Sequence, residues 1–365
     1  MSHPSKITAP DDPSLEELCQ QLAERSGSLD RTGHWPGEQL RLCGQYGVYE
    51  WFLPEEWGGQ AWSELDVVRG YLKLSAGCLT TTFIITQRTG ACQRIAHGEN
   101  EACKHALLPD LLRGTSFATV GISHLTTSRR HLTKTVLRAR RNGNGFVLDG
   151  FSPWVTGGAH AQTIVVGATL EGEPSEEVLQ MLVALPTNLP GVTVPKPAEL
   201  VGLTASHTGE VRLEDVRIGG EHILAGPIEN VMASGVGAGT GGLQTSTLAV
   251  GVASSAIDYL EQEAAKRDEL VEAFQHLRSE YQTVEADLLA LAAGQDVCSG
   301  ESLRKRANSL VLRTAEAALA AAKGTGYVVG HPAGRWCREA LFFLVWSCPR
   351  PVLAANLCEL AGIEG

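Results

Sequence analysis

The sequence predicts an α+β chain: a helical N-terminal domain, a central β-barrel domain and a C-terminal four-helix bundle. Three observations predict it. Apolar residues recur at helical spacing in the first part of the chain, short β-branched runs broken by Gly, Asn and Pro fill the middle, and long Ala/Leu-rich segments close it. The changes in texture place the domains at 1–114, 115–226 and 227–365.

In the first zone Leu15, Leu18 and Leu22 are spaced three and four apart, as one helix face requires. Leu40, Leu42, Val67, Val68, Leu72, Ile84 and Leu107 continue as apolar anchors among polar neighbours. Pro54 and the Gly58-Gly59 pair interrupt the zone with a loop, and Gly98 and Pro109 punctuate its end. In the middle zone Thr135–Arg140, Phe146–Asp149, Thr163–Gly167, Val183–Pro186 and Glu210–Leu213 read as strands. Asn142-Gly143-Asn144-Gly145 reads as a hairpin turn between the first two. In the last zone Leu243 to Lys266, Glu269 to Ala293 and Ser302 to Lys323 read as long helices. The glycine patch Gly235 to Gly242 lacks the Lys-Ser/Thr of a P-loop and follows no clear strand, so it reads as a flexible entry to the first of them.

The 365 residues are enough for two or three domains sharing a sizeable core; 43% are hydrophobic and 19% charged, a soluble globular balance. A net charge of −11 argues against nucleic acid and anionic membranes as partners. The run Arg129-Arg130-His131 and the pair Arg140-Arg141 are the main basic exceptions. Nine scattered cysteines without a C-x-x-C pair suggest neither a zinc site nor a disulfide framework. With no signal pattern and no run of 18 apolar residues, a cytoplasmic protein is expected.

Local sequences carry a family resemblance. Leu53-Pro54-Glu55-Glu56-Trp57-Gly58-Gly59 resembles the "PEEYGG" loop of acyl-CoA dehydrogenases. His97-Gly98-Glu99-Asn100-Glu101 and Leu108-Pro109-Asp110-Leu111-Leu112-Arg113-Gly114 resemble "GTEEQK…LPxLxxG". Gly150 with Trp154-Val155-Thr156-Gly157-Gly158-Ala159 resembles "GxKxWITNGxxA". Gly202-Leu203-Thr204-Ala205-Ser206 with Leu213-Glu214-Asp215-Val216-Arg217-Ile218 resembles "GxRxSxT…FxDVxVP". Gly324-Thr325-Gly326-Tyr327, Pro332, Arg335 and Arg338-Glu339-Ala340 resemble "GGxGY…PVERxxRDA". The blocks stand in family order from Leu53 to Ala340, and the fold they imply is the one read from texture.

The resemblance implies FAD, which would carry the redox step while the protein holds and tunes it. Trp154 would pack against the isoalloxazine, with the Thr156 hydroxyl and the Val155 backbone near N5. Ala118–Ser128 occupies the place of the family's "TEPxxGS" loop, which puts Gly121, Ile122 and Ser123 at the flavin edge. His124 becomes a candidate general acid or base, though such a histidine also serves to fill a turn. Arg267 aligns with an arginine that reaches the FAD pyrophosphate of a neighbouring subunit, which implies a homo-oligomer, a dimer or tetramer. Gly324 opens the "GGxGY" block at the same cofactor.

The sequence also departs from the family. The glutamate that removes the α-proton of an acyl-CoA thioester follows the "RDA" helix by a fixed count, and Ser347 stands there. Serine is no base for a weakly acidic carbon acid unaided. The earlier helix that carries the base in some relatives reads Gly241-Gly242 at that place. The expectation is an FAD-dependent oxidoreductase acting on a small molecule, an acyl-CoA-like thioester, by hydride transfer to flavin N5 without the usual glutamate. The alternatives are a flavin-dependent monooxygenase of the same fold, which activates oxygen at flavin C4a, and a non-catalytic homologue. Ser123, His124 and Ser347 are the catalytic candidates.

Overall fold

The computed structural model describes residues 5–126, 136–171, 178–233 and 242–363. The basic run at Arg129, Arg130 and His131 lies outside these residues, as does the glycine patch except Gly242.

Five helices open the chain: α1 (Pro13–Thr32), α2 (Gly37–Gln45), α3 (Glu64–Gly77), α4 (Leu79–His97) and α5 (Glu101–Arg113). Their starts follow from short polar side chains that accept orphan amide protons: Asp12 from Ser14 at 2.9 Å, Ser63 from Asp66 at 3.2 Å and Asn100 from Cys103 at 3.1 Å. Leu15, Leu18 and Leu22 are fully buried on α1, as their spacing predicts. Helix α4 is buried nearly all round and rich in threonine. The Thr82 and Thr86 hydroxyls donate back to the carbonyls of Cys78 and Phe83, which satisfies them inside an apolar core.

The middle of the chain holds β1 (Ala118–Gly121), the one-turn helix α6 (Ser123–Thr126), β2 (Leu137–Asn142), β3 (Gly145–Val155), β4 (Thr163–Leu170), β5 (Leu179–Pro186), β6 (Val192–Thr193), β7 (Gly209–Ile218) and β8 (Ile223–Glu229). They form one mixed sheet in the order β6-β7-β3-β2-β4-β5-β8, with β1 added in parallel beside β4. Among the described residues the ladder is an open path ending at β6 and β8. The β2–β3 hairpin turns at Asn142 to Gly145 as read from sequence, with Gly143 at φ 57°.

Five helices complete the chain: α7 (Gln244–Ala264), α8 (Val271–Ala292), α9 (Gly300–Gly326, broken at Lys323), α10 (Pro332–Leu341) and α11 (Arg350–Leu360). Three apolar clusters result. One is shared by the N- and C-terminal helices, one fills the inner face of the sheet, and one joins α4 and α5 to the outer face of β1, β4 and β5. No helix among the described residues is long and apolar enough to cross a membrane.

Candidate active site

A cavity of about 1020 Å³ opens where the N-terminal helices, the sheet and the C-terminal helices meet. One wall is α4. Phe83, Thr86, Gln87, Gly90, Arg94 and His97 line it, at the three- and four-residue steps of one helix face. Trp51 and Trp62, stacked at 4.2 Å with an interplanar angle of 9°, line it from the loops flanking the "PEEWGG" stretch.

The sheet supplies the second wall. Alternation along β3 sends Val155 into the sheet core, 1% exposed, and turns Trp154 and Thr156 to the cavity. The register between β3 and β7 shifts between Ser152 and Val155, an irregularity of the kind that re-aims side chains at sites. Trp154 is half-exposed, whereas Thr156 is 3% exposed and shares a 2.9 Å hydrogen bond with the Thr208 hydroxyl. Thr208 in turn bonds Ser206 at 2.8 Å, and all three hydroxyl residues line the cavity.

The third wall comes from the C-terminal helices and the turn after α10. Phe342 and Trp346 stack there at 4.9 Å, with Phe83 of α4 edge-on to both. Ser347 follows on the same wall, in the left-handed region at φ 45°. The guanidinium of Arg304 and the amide of Asn308, both on α9, donate to the Trp346 and Phe343 carbonyls beneath this turn.

Among the described residues that line the cavity one carboxylate occurs, Glu64, exposed in the first turn of α3. Two guanidiniums line it. Arg338 is bound to Asp30 through bonds of 2.9 and 2.8 Å. Arg94 is 4% exposed and donates to Gly90 at 2.8 Å, and burial draws its pKa down to about 10.

Of the residues singled out from sequence, Ile122, Ser123, Trp154, Thr156 and Ser347 meet around this space. Gly121 and Val155 lie behind the lining, where a Cβ on Gly121 would touch Ser152 and Val155. His124 points away from the cavity. Successive residues of the one-turn helix α6 point about 100° apart, so with Ser123 on the cavity, His124 enters the sheet. Its Nε2 is 2.8 Å from the Gly167 carbonyl, and burial lowers its pKa. Arg267 lies away from this cavity, and one of its nitrogens, Nη2, donates to Glu263 at 2.7 Å and to the Ala321 carbonyl at 2.6 Å. Gly324 sits beside the break in α9, exposed and away from the cavity. Sequence reading missed the α4 stripe, the two stacked tryptophans and the Ser206–Thr208 pair. The signal for the stripe was present: threonine and glutamine at helical steps inside an otherwise apolar helix.

Fold and cavity together define a scaffold of the helix–sheet–helix class, with its cavity at the junction of all three parts. The family model described as acyl-CoA dehydrogenase, N-terminal domain matches residues 15–115, and that described as acyl-CoA dehydrogenase, middle domain matches residues 126–216. A probable acyl-CoA dehydrogenase of Bacillus subtilis is 26% identical over 242 residues, a match spanning 66% of this chain and 63% of that protein. The mitochondrial short-chain specific acyl-CoA dehydrogenase of Rattus norvegicus is 24% identical over 353 residues, covering 89% of this chain and 84% of that protein. The structure of butyryl-CoA dehydrogenase from Megasphaera elsdenii superposes with a TM-score of 0.81 at 17% identity, covering 95% of this chain and 97% of that one. This chain belongs to the acyl-CoA dehydrogenase superfamily.

Proposed function

We propose that the chain is a flavin-dependent oxidoreductase that takes an acyl-CoA-like thioester and works without a buried carboxylate base. One observation carries the reading. Trp154 and Thr156 face a cavity whose opposite wall presents Ser347, and among the described residues the one lining carboxylate, Glu64, is exposed.

The residues fit the isoalloxazine end of a flavin. Trp154 offers a half-exposed aromatic face to pack against the ring, and the Thr156 hydroxyl would hold N5. The Thr208 bond fixes the Thr156 hydroxyl, so its orientation costs little on binding. At the adenosine half Arg267 would share its guanidinium with Glu263 and the Ala321 carbonyl, both bonded through Nη2. A bound flavin would supply the hydride acceptor. The protein's part is to exclude water between the stacked Phe342–Trp346 pair and α4 and to orient the thioester. Ser347 hydrogen-bonds without taking a proton, so a substrate turned over here brings an acidic proton or releases it to water.

The test is a titration of the purified protein with FAD and with FMN, followed by anaerobic addition of acyl-CoA. Flavin binding that weakens roughly tenfold in Thr156→Val and Trp154→Ala, with bleaching by acyl-CoA, is the expected result. No binding of either flavin overturns the reading. The same carboxylate-poor wall also favours the oxygen-activating relatives. If the reduced protein hydroxylates a substrate in air but acyl-CoA leaves the flavin oxidised, that second reading replaces the first.

A further inference from the structure

We propose that His160 and His207 form a one-proton latch between the N-terminal helices and the sheet, and that this latch positions the Ser206–Thr208–Thr156 hydroxyl chain. The second half of the proposal deepens the flavin reading and rests on it; the first half stands without it.

The latch is built from the segment joining α1 to α2 and from two loops of the sheet. His207 Nε2 lies 3.0 Å from the Gly33 carbonyl, and His207 Nδ1 lies 2.9 Å from His160 Nε2. The His160 ring stacks on Trp35 at 4.1 Å and 12°. Gly157 at φ 65° permits this, since a Cβ there would come within 2.5 Å of the Trp35 ring.

The partners dictate the protons. A carbonyl only accepts, so His207 carries a hydrogen on Nε2. In the neutral pair His207 Nδ1 is then the acceptor and His160 Nε2–H the donor. One added proton fits on His160 Nδ1, which takes no part in the shared bond, so His160 Nε2–H still donates to His207 Nδ1. A second added proton sets N–H against N–H between two cations, and the bond is lost. The pair therefore tolerates one added proton and no more.

The consequence reaches the cavity through the backbone. His207 stands at φ 47° between Ser206 and Thr208, a left-handed conformation that its two ring bonds hold in place. Gly157 N donates to the carbonyls of both Ser206 and His207, at 3.0 and 3.2 Å. Releasing the ring thus frees the turn that carries two links of the hydroxyl chain.

Among the described residues the pair has these neighbours. Trp35 and Phe117 are uncharged, and Asp30 of α1 is bridged to Arg338. Arg31 and His34, which flank Gly33, are exposed. Lys196, on the segment whose Ala198 amide bonds the Thr208 carbonyl, pairs with Glu199 at 3.0 Å. Burial first, then His207, lowers the pKa of His160. With its folded value below the unfolded one, the stabilisation is complete above about pH 6.5 and is lost as pH falls through the folded value.

The experiment uses the full chain labelled with ¹⁵N-histidine, with and without added FAD, from pH 8 to pH 5. Without flavin, imidazole ¹⁵N shifts are expected to show His207 as the Nε2–H tautomer and to show one proton entering the pair before the second. His207 carrying its hydrogen on Nδ1 at pH 8, or two rings titrating independently, overturns the latch. With FAD, the flavin absorption maximum and affinity should change across that pH range, affinity by roughly tenfold for one lost hydrogen bond. In His160→Gln, whose amide donates to His207 without titrating, both should stay flat. A pH-dependent latch with a pH-independent flavin spectrum overturns the positioning claim alone. Absence of any flavin binding strikes the cofactor reading and the positioning claim together, and leaves the tautomer measurement to decide the latch.

Discussion

Arg304 of α9 donates to the Trp346 carbonyl at 2.9 Å, and this bond holds the turn on which Ser347 reaches the cavity. The same guanidinium reaches the Phe343 carbonyl at 3.4 Å, and Asn308 bonds that carbonyl at 3.1 Å. Arg304 is 7% exposed, and burial draws its pKa down to about 10. Arg304→Met fills the space but leaves the Trp346 carbonyl without this donor. A loss of about 1–3 kcal/mol in urea unfolding is expected, with faster proteolysis at 343–348. A variant as stable as the parent with an unchanged cleavage pattern refutes the role of this bond.

Ser347 stands in a left-handed conformation that costs a serine roughly 1 kcal/mol and a glycine almost nothing. Ser347→Gly should therefore hold or raise the midpoint of thermal unfolding. Ser347→Glu puts a carboxylate on the cavity wall. It should lower stability, since the carboxylate enters a partly buried site, and raise the rate at which acyl-CoA bleaches bound flavin. Unchanged bleaching by Ser347→Glu, with substrate still bound, would mean that the turn does not face the reacting carbon.

The elements legible in sequence are those whose burial follows from local periodicity. The expected helix from Leu243 to Lys266 lies within two residues of α7, and the expected strand from Thr163 begins where β4 begins. Trp154 and Thr156 were legible only through the family resemblance of their motif, not through periodicity. What escaped depends on non-local geometry. Strand β1 has four residues, all buried, and owes its existence to parallel pairing with β4. The orientation of His124 depends on one turn of helix that no periodicity can phase. Arg267 was different, because Glu263 four residues earlier is a readable helical ion pair that competes with any phosphate.

Close packing between α3 and α7 gives a third test. A Cβ on Gly251 would drive into the Ser75 hydroxyl and lie 2.6 Å from the Leu72 carbonyl oxygen. Ser75 is 2% exposed and its hydroxyl donates to the Tyr71 carbonyl at 2.8 Å, so it has nowhere to turn. Gly251→Ala should cost about 1–3 kcal/mol despite the better helix propensity of alanine. Because Tyr71 and Leu243 both line the cavity, ligand binding should weaken as well. Full stability in chemical unfolding would show that the two helices slide apart freely.

Glu339 gives the fourth. It is 5% exposed on α10, and burial raises its pKa to about 7 despite Arg335 Nε at 3.5 Å. The folded value exceeds the ordinary carboxyl value, so the folded state binds more protons between about pH 4.5 and pH 7. Stability contributed by the protonated form is complete below that window and falls as pH rises through it, by about 3 kcal/mol for this group alone. His124 and His160, with pKa values lowered by burial, push the other way as pH rises toward about 6.5. The effect is therefore read as a difference between two proteins. Glu339→Gln keeps the shape and removes the titration, so its stability relative to the parent should rise between pH 4.5 and pH 7.5. A constant difference across that range would mean that Arg335 and Arg338 keep Glu339 ionised in the folded chain.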